Sequence, residues 1–215
     1  MGLASARFVT QLLSSLLLLE IISCQEPPAW TSPRLHEVQS NSSAIKAAPV
    51  GTPTTTIIEF GDAYLGGIEL YDVRIAVLDV VRGPKAWEMI ENASASNPHP
   101  KPGLEYVLAR VRFELSARNS PALYTYHVDE TQFAAIAPDG QEFPPPELTA
   151  VPEPRVRETL KSGDSLEGWL VFLVPLRVSR PLMVFREDVG TVSHRGSGTW
   201  FQLYTRSGSG ASAKP

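Results

Sequence analysis

The most constraining feature of this sequence is a stretch in which apolar and other residues alternate, within residues 104–115. One set of alternate positions is apolar and the other is charged, the first comprising Val107, Ala109, Val111, Phe113 and Leu115, and the second Arg110, Arg112 and Glu114. Successive side chains of a β-strand point to opposite faces, so a period of two over this length predicts a half-buried strand.

Further strand-like segments occur along the chain. Range 68–81 alternates up to Ala76 and then becomes apolar on both faces, which indicates a covered end or a β-bulge. Range 165–174 is apolar on both faces and is predicted to be a central strand that Pro175 ends, because proline cannot donate to the ladder. Additional strands are predicted at 57–60, 181–185 and 199–205, with a hairpin at Asp139-Gly140 inside 131–143.

One connection, residues 83–103, is far longer than a hairpin loop. Its first half, residues 84–92, is predicted to form a helix with Pro84 in the first turn, and Trp87, Met89 and Ile90 are expected to pack on the sandwich. Its second half, residues 97–103, contains three prolines and is predicted to be extended. Together these elements predict an all-β fold: an immunoglobulin-like antiparallel β-sandwich of about seven or eight strands, with one short helix in a long loop.

The N-terminal leader predicts export and lipid attachment. Arg7 precedes an apolar run that is too short for a membrane-spanning helix but has the length of a signal-peptide core. Residues 21–24 (Ile-Ile-Ser-Cys) resemble a bacterial lipobox, in which the cysteine receives a diacylglycerol, although Glu20 and the single arginine make this leader irregular. Cys24 is the only cysteine, so it has no disulfide partner within the chain. The alternatives are an ordinary secretory leader with an incidental cysteine, and a free buried thiol.

Composition divides the chain into four predicted parts. Residues 1–23 are predicted to be a lipoprotein signal peptide, 24–56 the lipidated cysteine and a flexible tether rich in Pro, Ser and Thr, 57–206 the sandwich domain, and 207–215 a disordered tail. A coil of about 30 residues would span about 30 Å. The expected location is the cell membrane, with the domain lipid-anchored and facing outside the cytoplasm; secretion is the alternative.

Few residues of this sequence indicate a catalytic, metal-binding or nucleic-acid-binding role. The net charge is −4 with both signs interspersed, so no nucleic-acid partner is expected. The one local cluster of ligand types is His127, Asp129 and Glu130, and three such groups at one strand end rarely converge on an ion, so no metal or cofactor is expected. No Gly-x-Ser-x-Gly elbow and no phosphate-binding glycine loop is present. The chain is therefore not expected to be an enzyme, and no catalytic residue is assigned.

Four residues are candidates for ligand or partner binding. Tyr124 and Tyr126 are predicted to share a strand face, and Trp87 and His99 belong to the long loop. Exposed aromatic residues bind sugars or partner proteins. The alternative is that these aromatic residues pack in the core and cover the sandwich edge.

Several motifs carry a resemblance to a known family. These are Arg82-Gly83, Ala86-Trp87, Ile90, Asn97, Gly103–Tyr106, Asp139-Gly140, Gly163, Glu167–Phe172, Val174-Pro175 and Gly198–Leu203. In this combination the chain resembles the telokin-like domain of unknown function of exported bacterial lipoproteins, which is similar in fold to the mycobacterial immunoprotective extracellular protein. The resemblance covers nearly all of residues 57–206 and implies a sandwich on a lipidated stalk, with no catalytic residue to carry over.

Three functions are compatible with this reading. The first is a membrane-anchored binding or interaction module whose partner is a cell-envelope protein or polysaccharide, with residues 85–101 as the best candidate region because sandwich loops often carry recognition. The second is a structural or accessory envelope subunit without its own ligand. The third is an extracytoplasmic hydrolase, which no sequence motif supports.

Overall fold

A computed structural model describes residues 44–62, 67–119, 122–187 and 198–205, without the side chain of Asp62. The predicted leader, Cys24 and the predicted tail (207–215) lie outside the described residues. Within these ranges the strands are β1 (Thr54–Asp62), β2 (Gly67–Arg82), β3 (Leu104–Ala117), β4 (Tyr126–Asp129), β5 (Phe133–Ile136), β6 (Arg157–Leu160), β7 (Ser165–Pro175), β8 (Leu182–Phe185) and β9 (Thr199–Gln202). The helix α1 spans Pro84–Ala93, and 3₁₀ turns occupy Ala44–Lys46 and Glu130–Gln132.

The larger sheet has the strand order β1-β2-β3-β7, with every neighbouring pair antiparallel. The alternation within 104–115 has the predicted result: the five apolar side chains are fully buried, and Arg110 and Arg112 are exposed on the opposite face. The irregularity expected after Ala76 is present, because the pairing of β2 with β3 shifts register between Val77 and Asp79.

The second layer consists of the β4–β6 ribbon and a three-stranded sheet of order β5-β8-β9. Its buried residues share one core with the inner face of the larger sheet; they include Tyr126, Val128, Phe133, Leu160, Phe185 and Phe201. The fold is therefore an all-β antiparallel sandwich with one short helix, as predicted. Strand β6 was not predicted, because only Leu160 of its four residues is buried and its sequence does not alternate.

The prediction that residues 165–174 form a central strand is wrong. Strand β7 lies last in its sheet: it pairs along its length with β3, and on its other side Trp169 forms an isolated parallel bridge with Arg155. It is apolar on both faces because Leu170, Phe172 and Val174 face the sandwich core, whereas Trp169, Val171 and Leu173 pack in a second cluster with α1. A helix laid on the outer face of a sheet thus produces the same sequence signal as a central strand.

Helix α1 follows β2 after a sharp turn at Gly83, whose φ of 67° favours glycine. Pro84 occupies the first turn, where its missing N–H leaves no helical hydrogen bond unmade. Ala86 and Ile90 are buried against β2 and β3, in a cluster that also contains Trp87 and Met89 at partial burial. The predicted helix and its packing residues are confirmed. Within the described ranges, no helix combines the length and apolar character needed to cross a membrane.

The described part of the predicted tether differs from expectation. Ala47 and Ala48 are buried, and Ala48 forms a parallel bridge with Phe201 through two backbone hydrogen bonds of 2.8 Å. The N–H of Gly51 donates to the carbonyl of Val77 at 2.7 Å, and β1 begins at Thr54 rather than residue 57. Residues 44–56 therefore belong to the sandwich. Their Pro and Thr content predicted a tether instead. The side-chain pattern did not indicate the contacts with the sandwich, because the backbone makes most of them.

Candidate functional site

Two of the candidate residues, Trp87 and His99, meet at the end of the sandwich that carries α1. Trp87 projects from the first turns of the helix, and His99 lies in the loop that follows it. Their ring centroids are 4.7 Å apart at an interplanar angle of 56°, and Tyr106 of β3 stacks on Trp87 with a centroid separation of 6.1 Å. His99 is exposed and Trp87 is half-buried, whereas Tyr106 is buried, so the Trp87 and His99 rings form an aromatic surface at the sandwich end. We refer to Trp87 and His99 as the Trp87–His99 surface.

The loop that carries His99 is held in place by Asn97, which is buried. The Asn97 side-chain amide donates to the carbonyl oxygens of Ile90 and Ala150, both at 2.8 Å. Its side-chain oxygen accepts hydrogen bonds from the backbone N–H groups of Thr149, at 2.8 Å, and Ala150, at 3.2 Å. One side chain thus joins the C-terminal end of α1, the His99 loop and the segment that crosses behind them.

Tyr106 fixes the other side of this loop. Its hydroxyl donates a hydrogen bond of 2.8 Å to the carbonyl of Pro98, the residue before His99. Burial raises the pKa of Tyr106, so this hydroxyl stays protonated and remains a donor near neutral pH. The motif Gly103–Tyr106 contributes to the family resemblance, but no sequence pattern predicted the support that Tyr106 gives to Trp87 and His99.

A partly buried ion pair completes this end of the molecule. Arg82, the last residue of β2, pairs with Glu105 of β3 at 2.5 Å. The same guanidinium donates to the backbone carbonyls of Val178 and Ser179, both at 3.1 Å. The Arg82 side chain therefore ties the larger sheet to the connection that leads to β8, and it positions the strand ends on which the Trp87–His99 surface rests.

The other two candidates, Tyr124 and Tyr126, lie at the opposite end of the larger sheet. Strand β4 begins at Tyr126, so Tyr124 precedes the strand and the prediction of a shared strand face is wrong. Tyr126 is buried, and its ring stacks on Phe113 with a centroid separation of 5.8 Å. It is therefore a core residue rather than a ligand contact. Tyr124 stacks on Phe60 at 5.5 Å and covers the sandwich edge while it remains partly exposed.

The backbone around Tyr124 is fixed by two buried or half-buried groups of β2. The N–H of Tyr124 donates to the hydroxyl of Tyr71 at 3.1 Å, and the N–H of Leu123 donates to the carboxylate of Glu69 at 2.9 Å. The Tyr71 hydroxyl in turn donates to Glu69 at 2.7 Å. Burial, together with the neighbouring Glu69, raises the pKa of Tyr71, which keeps this donor protonated.

The four candidates therefore form two separate groups rather than one site. Tyr71 pairs with Ala117 at one end of the β2–β3 ladder, and Val81 pairs with Leu108 near the other. The ten residues that separate Tyr71 from Val81 correspond to about 30 Å of extended strand. No single ligand of ordinary size would touch both groups.

The cluster at His127 is assembled differently from a metal site. The Nδ1 of His127 lies 3.1 Å from the Thr159 hydroxyl of β6, and its Nε2 lies 3.6 Å from Asp129. Glu130 pairs instead with Arg157. Partial burial would raise the pKa of Asp129, but hydrogen bonds from Thr131 outweigh it and lower the pKa, so Asp129 is ionised. In the part of the chain that the structure describes, no three His, Cys, Asp or Glu side chains are arranged to hold a metal ion.

Thr159, His127 and Asp129 also have the residue types of a nucleophile, a base and an orienting acid, in that order. His127 and Thr159 are directly opposite each other on the exposed β4–β6 ribbon, and more than half of the His127 side chain is open to solvent. Catalysis of acyl transfer requires hydrogen-bond donors aimed at the developing oxyanion in a site that excludes water. The contact is therefore best described as a cross-strand pair of surface residues.

The outer face of the larger sheet is charged beyond the area that α1 covers. Arg110 and Arg112 of β3 share the carboxylate of Glu167, and hydrogen bonding from Arg112, supported by Arg110, lowers the pKa of that carboxyl group. Arg74 pairs with Glu114 at 3.4 Å. These pairs are exposed, so solvent screens them and they contribute little to stability.

No protein-family model matches the sequence, and no curated protein matches it. The leader sequence and the Trp87–His99 surface are therefore the two features that bear on function.

Proposed function

We propose that this chain is a lipid-anchored extracytoplasmic binding module whose sandwich presents the Trp87–His99 surface to a cell-envelope protein or polysaccharide. The resemblance to telokin-like lipoprotein domains supports the compartment, as does the lipobox-like segment that ends at Cys24. In this proposal acyl chains on Cys24 hold the chain at the membrane, since each buried methylene contributes about 0.8 kcal/mol and more than one chain is needed for lasting attachment.

The observation that carries the binding proposal is the contact of the exposed His99 ring with Trp87, on a loop that Asn97 and Tyr106 hold in place. Aromatic rings give a binding surface a large apolar contact with few rotatable bonds. A loop fixed before binding loses little conformational entropy when its partner arrives, so its contacts contribute more fully to affinity. These are the properties of a recognition surface for sugar rings or for partner side chains.

The binding proposal is tested by replacing His99 with Ala. His99 is exposed, so H99A should leave the fold intact, whereas Trp87 also packs against the sheet. We expect H99A to reduce binding of the full chain to isolated envelope polysaccharide or envelope protein by about tenfold, which corresponds to about 1.4 kcal/mol. The matched control is Glu88→Ala, an exposed position on α1 beside Trp87. Equal binding by H99A, E88A and the parent chain would contradict the proposal and favour an accessory subunit.

The anchor is tested separately. Mass spectrometry of the mature N-terminus should find a diacylated or triacylated Cys24, and Cys24→Ala should move the protein from the membrane fraction to the soluble extracytoplasmic fraction. A mature protein that begins at another residue without fatty acid would contradict the anchor and favour plain secretion.

A further inference from the structure

Three apolar or aromatic side chains are exposed at the end of the sandwich opposite α1. Leu123 is 73% exposed, Ile68 is 48% exposed and Tyr124 is 40% exposed. Ile68 is paired with Gly61 at the end of the β1–β2 ladder. The N–H of Leu123 is bonded to Glu69, the residue after Ile68, and strand alternation places the Ile68 side chain on the opposite face of the sheet from Glu69. We call these three residues the Leu123 tip.

The Leu123 tip is held in position by polar contacts beneath it. Glu69 and the Tyr71 hydroxyl bind the backbone N–H groups of Leu123 and Tyr124, and the Tyr124 ring stacks on Phe60. A surface leucine on a free loop needs no explanation, because apolar residues are common on protein surfaces. Here buried and half-buried groups fix the backbone so that the Leu123 side chain points into solvent, which is the arrangement expected of a preorganised contact.

The chain enters the sandwich on the same half of the domain. Ala48 pairs in parallel with Phe201, so the residues before Ala48 run alongside β9 toward its first residue, Thr199. Thr199 is paired with Phe185, and the ring centroids of Phe185 and Phe113 are 5.7 Å apart. Phe113 in turn stacks on Tyr126, near the Leu123 tip and away from α1. The first described residues, 44–47, therefore lie on the tip side.

The size of the tip favours a bilayer over a protein as its occupant. A standard protein interface buries about 800 Å² on each partner, which is far more than three side chains supply. A domain already held by acyl chains needs only a shallow contact to set its orientation. About 20 residues separate Cys24 from Ala44, so the domain stays within about 70 Å of the anchor. Tyrosine is also a residue type enriched at the membrane–water interface.

We infer that the Leu123 tip contacts the bilayer in which the chain is anchored, and that this contact turns the Trp87–His99 surface away from the membrane. This inference rests on the proposed lipid anchor and adds the orientation of the domain. The two surfaces lie at opposite ends of the larger sheet, so contact at one end leaves the other free for a partner. Because the tip is apolar, its contact with lipid should be insensitive to salt.

The test uses the full acylated chain on phosphatidylcholine vesicles that contain brominated lipid. An environment-sensitive dye is attached in separate proteins to Leu123→Cys and to Leu176→Cys. Leu176 is the matched control, since it is 58% exposed and follows β7 at the α1 end, with its N–H bonded to Gly103. Acylation of Cys24 leaves the introduced cysteine as the single free thiol. Co-sedimentation of protein and vesicles is measured in the same samples.

We expect the dye at position 123 to shift to the blue and to be quenched about twofold, as for a group about 5–10 Å into the interface, with no change at position 176. If the protein sediments with vesicles but the dye is quenched equally at both positions, or at neither, the inferred orientation is overturned. The anchor would then remain intact. A shift at position 123 that requires native envelope rather than pure lipid identifies a protein occupant and also overturns it. Failure to sediment with vesicles overturns the anchor itself, and with it this inference.

Discussion

The side-chain amide of Asn97 donates a hydrogen bond of 2.8 Å to the carbonyl oxygen of Ile90, near the C-terminal end of α1. Ile90 is fully buried between the helix and the sheet, and Asn97 also binds Thr149 and Ala150 on the crossing segment. A single polar residue therefore fixes the helix, the loop with His99 and the neighbouring coil in one arrangement. The Trp87–His99 surface depends on this contact although Asn97 does not belong to it.

Replacing Asn97 with Ala should destabilise the domain by about 2 kcal/mol, because the carbonyls of Ile90 and Ala150 and the N–H groups of Thr149 and Ala150 lose their hydrogen bonds to this buried side chain. Urea unfolding of the full chain measures this change. The matched control is Asn92→Ala, an exposed asparagine in the last turns of α1, for which we expect a change within about 0.5 kcal/mol. Equal effects of the two substitutions would contradict the role assigned to Asn97.

Gly168 should not tolerate a side chain. A Cβ at this position would lie 2.5 Å from the carbonyl carbon of Arg155 and 2.7 Å from the N of Val156, both in a backbone that cannot move aside locally. We expect Gly168→Ala to cost about 1–3 kcal/mol in thermal or urea unfolding. Ser165→Ala, at an exposed position on the same strand, is the control and should be close to neutral. A stable G168A protein would show that the Arg155 segment is not held against β7.

Tyr71→Phe should loosen the loop that carries Leu123. The substitution keeps the buried ring and removes the hydroxyl that binds the N–H of Tyr124 and the carboxylate of Glu69. We expect a loss of about 1–2 kcal/mol and faster hydrogen exchange at the amide of Tyr124. In the control Tyr124→Phe, the ring can still stack on Phe60, and exchange at this amide should stay slow. Unchanged exchange in Y71F would rule out Tyr71 as the residue that fixes the loop.

Glu187 gives the domain a predicted dependence on pH. Burial and the nearby Glu59 carboxylate raise the pKa of Glu187 from 4.5 to about 7. The folded state therefore binds a proton more tightly than the unfolded chain, so the stabilisation is complete below pH 4.5 and is lost as the pH rises from about 4.5 to about 7. We expect this loss to amount to about 1 kcal/mol, after a discount for partial exposure.

The experiment compares the free energy of unfolding of the parent chain and Glu187→Gln between pH 5 and pH 8. The glutamine variant cannot ionise, so its stability should fall less over this range than that of the parent. Glu158→Gln, at an exposed position on β6, is the control and should follow the parent. Parallel pH profiles for the parent and E187Q would contradict the raised pKa.

Local patterns in the sequence were sufficient for most of the strands. The alternation from Val107 to Leu115 gave both the strand and the face that it buries, and Pro84 marked the start of α1. The same patterns misplaced β7, because apolar residues on both faces do not distinguish a central strand from an edge strand covered by a helix. They also missed β6, in which three of four side chains face solvent.

The candidate site was predicted only as a set of residue types. No sequence pattern indicates that Trp87 and His99 touch, or that Tyr124 lies at the surface while Tyr126 lies in the core. The contacts that hold both surfaces come from Asn97, Tyr106, Glu69 and Tyr71. Each of these residues binds a partner far away in the chain or at a loop that no periodicity reveals.

The sequence by itself determined the class of fold, since the period of side-chain alternation follows directly from the geometry of an extended backbone. It also carries the leader on which the proposed compartment depends. Only the tertiary structure decided that the aromatic and apolar candidates lie at two opposite ends of the larger sheet. Strand register and loop closure bring together residues such as Asn97 and Thr149, and these depend on the packing of the whole domain rather than on any local pattern.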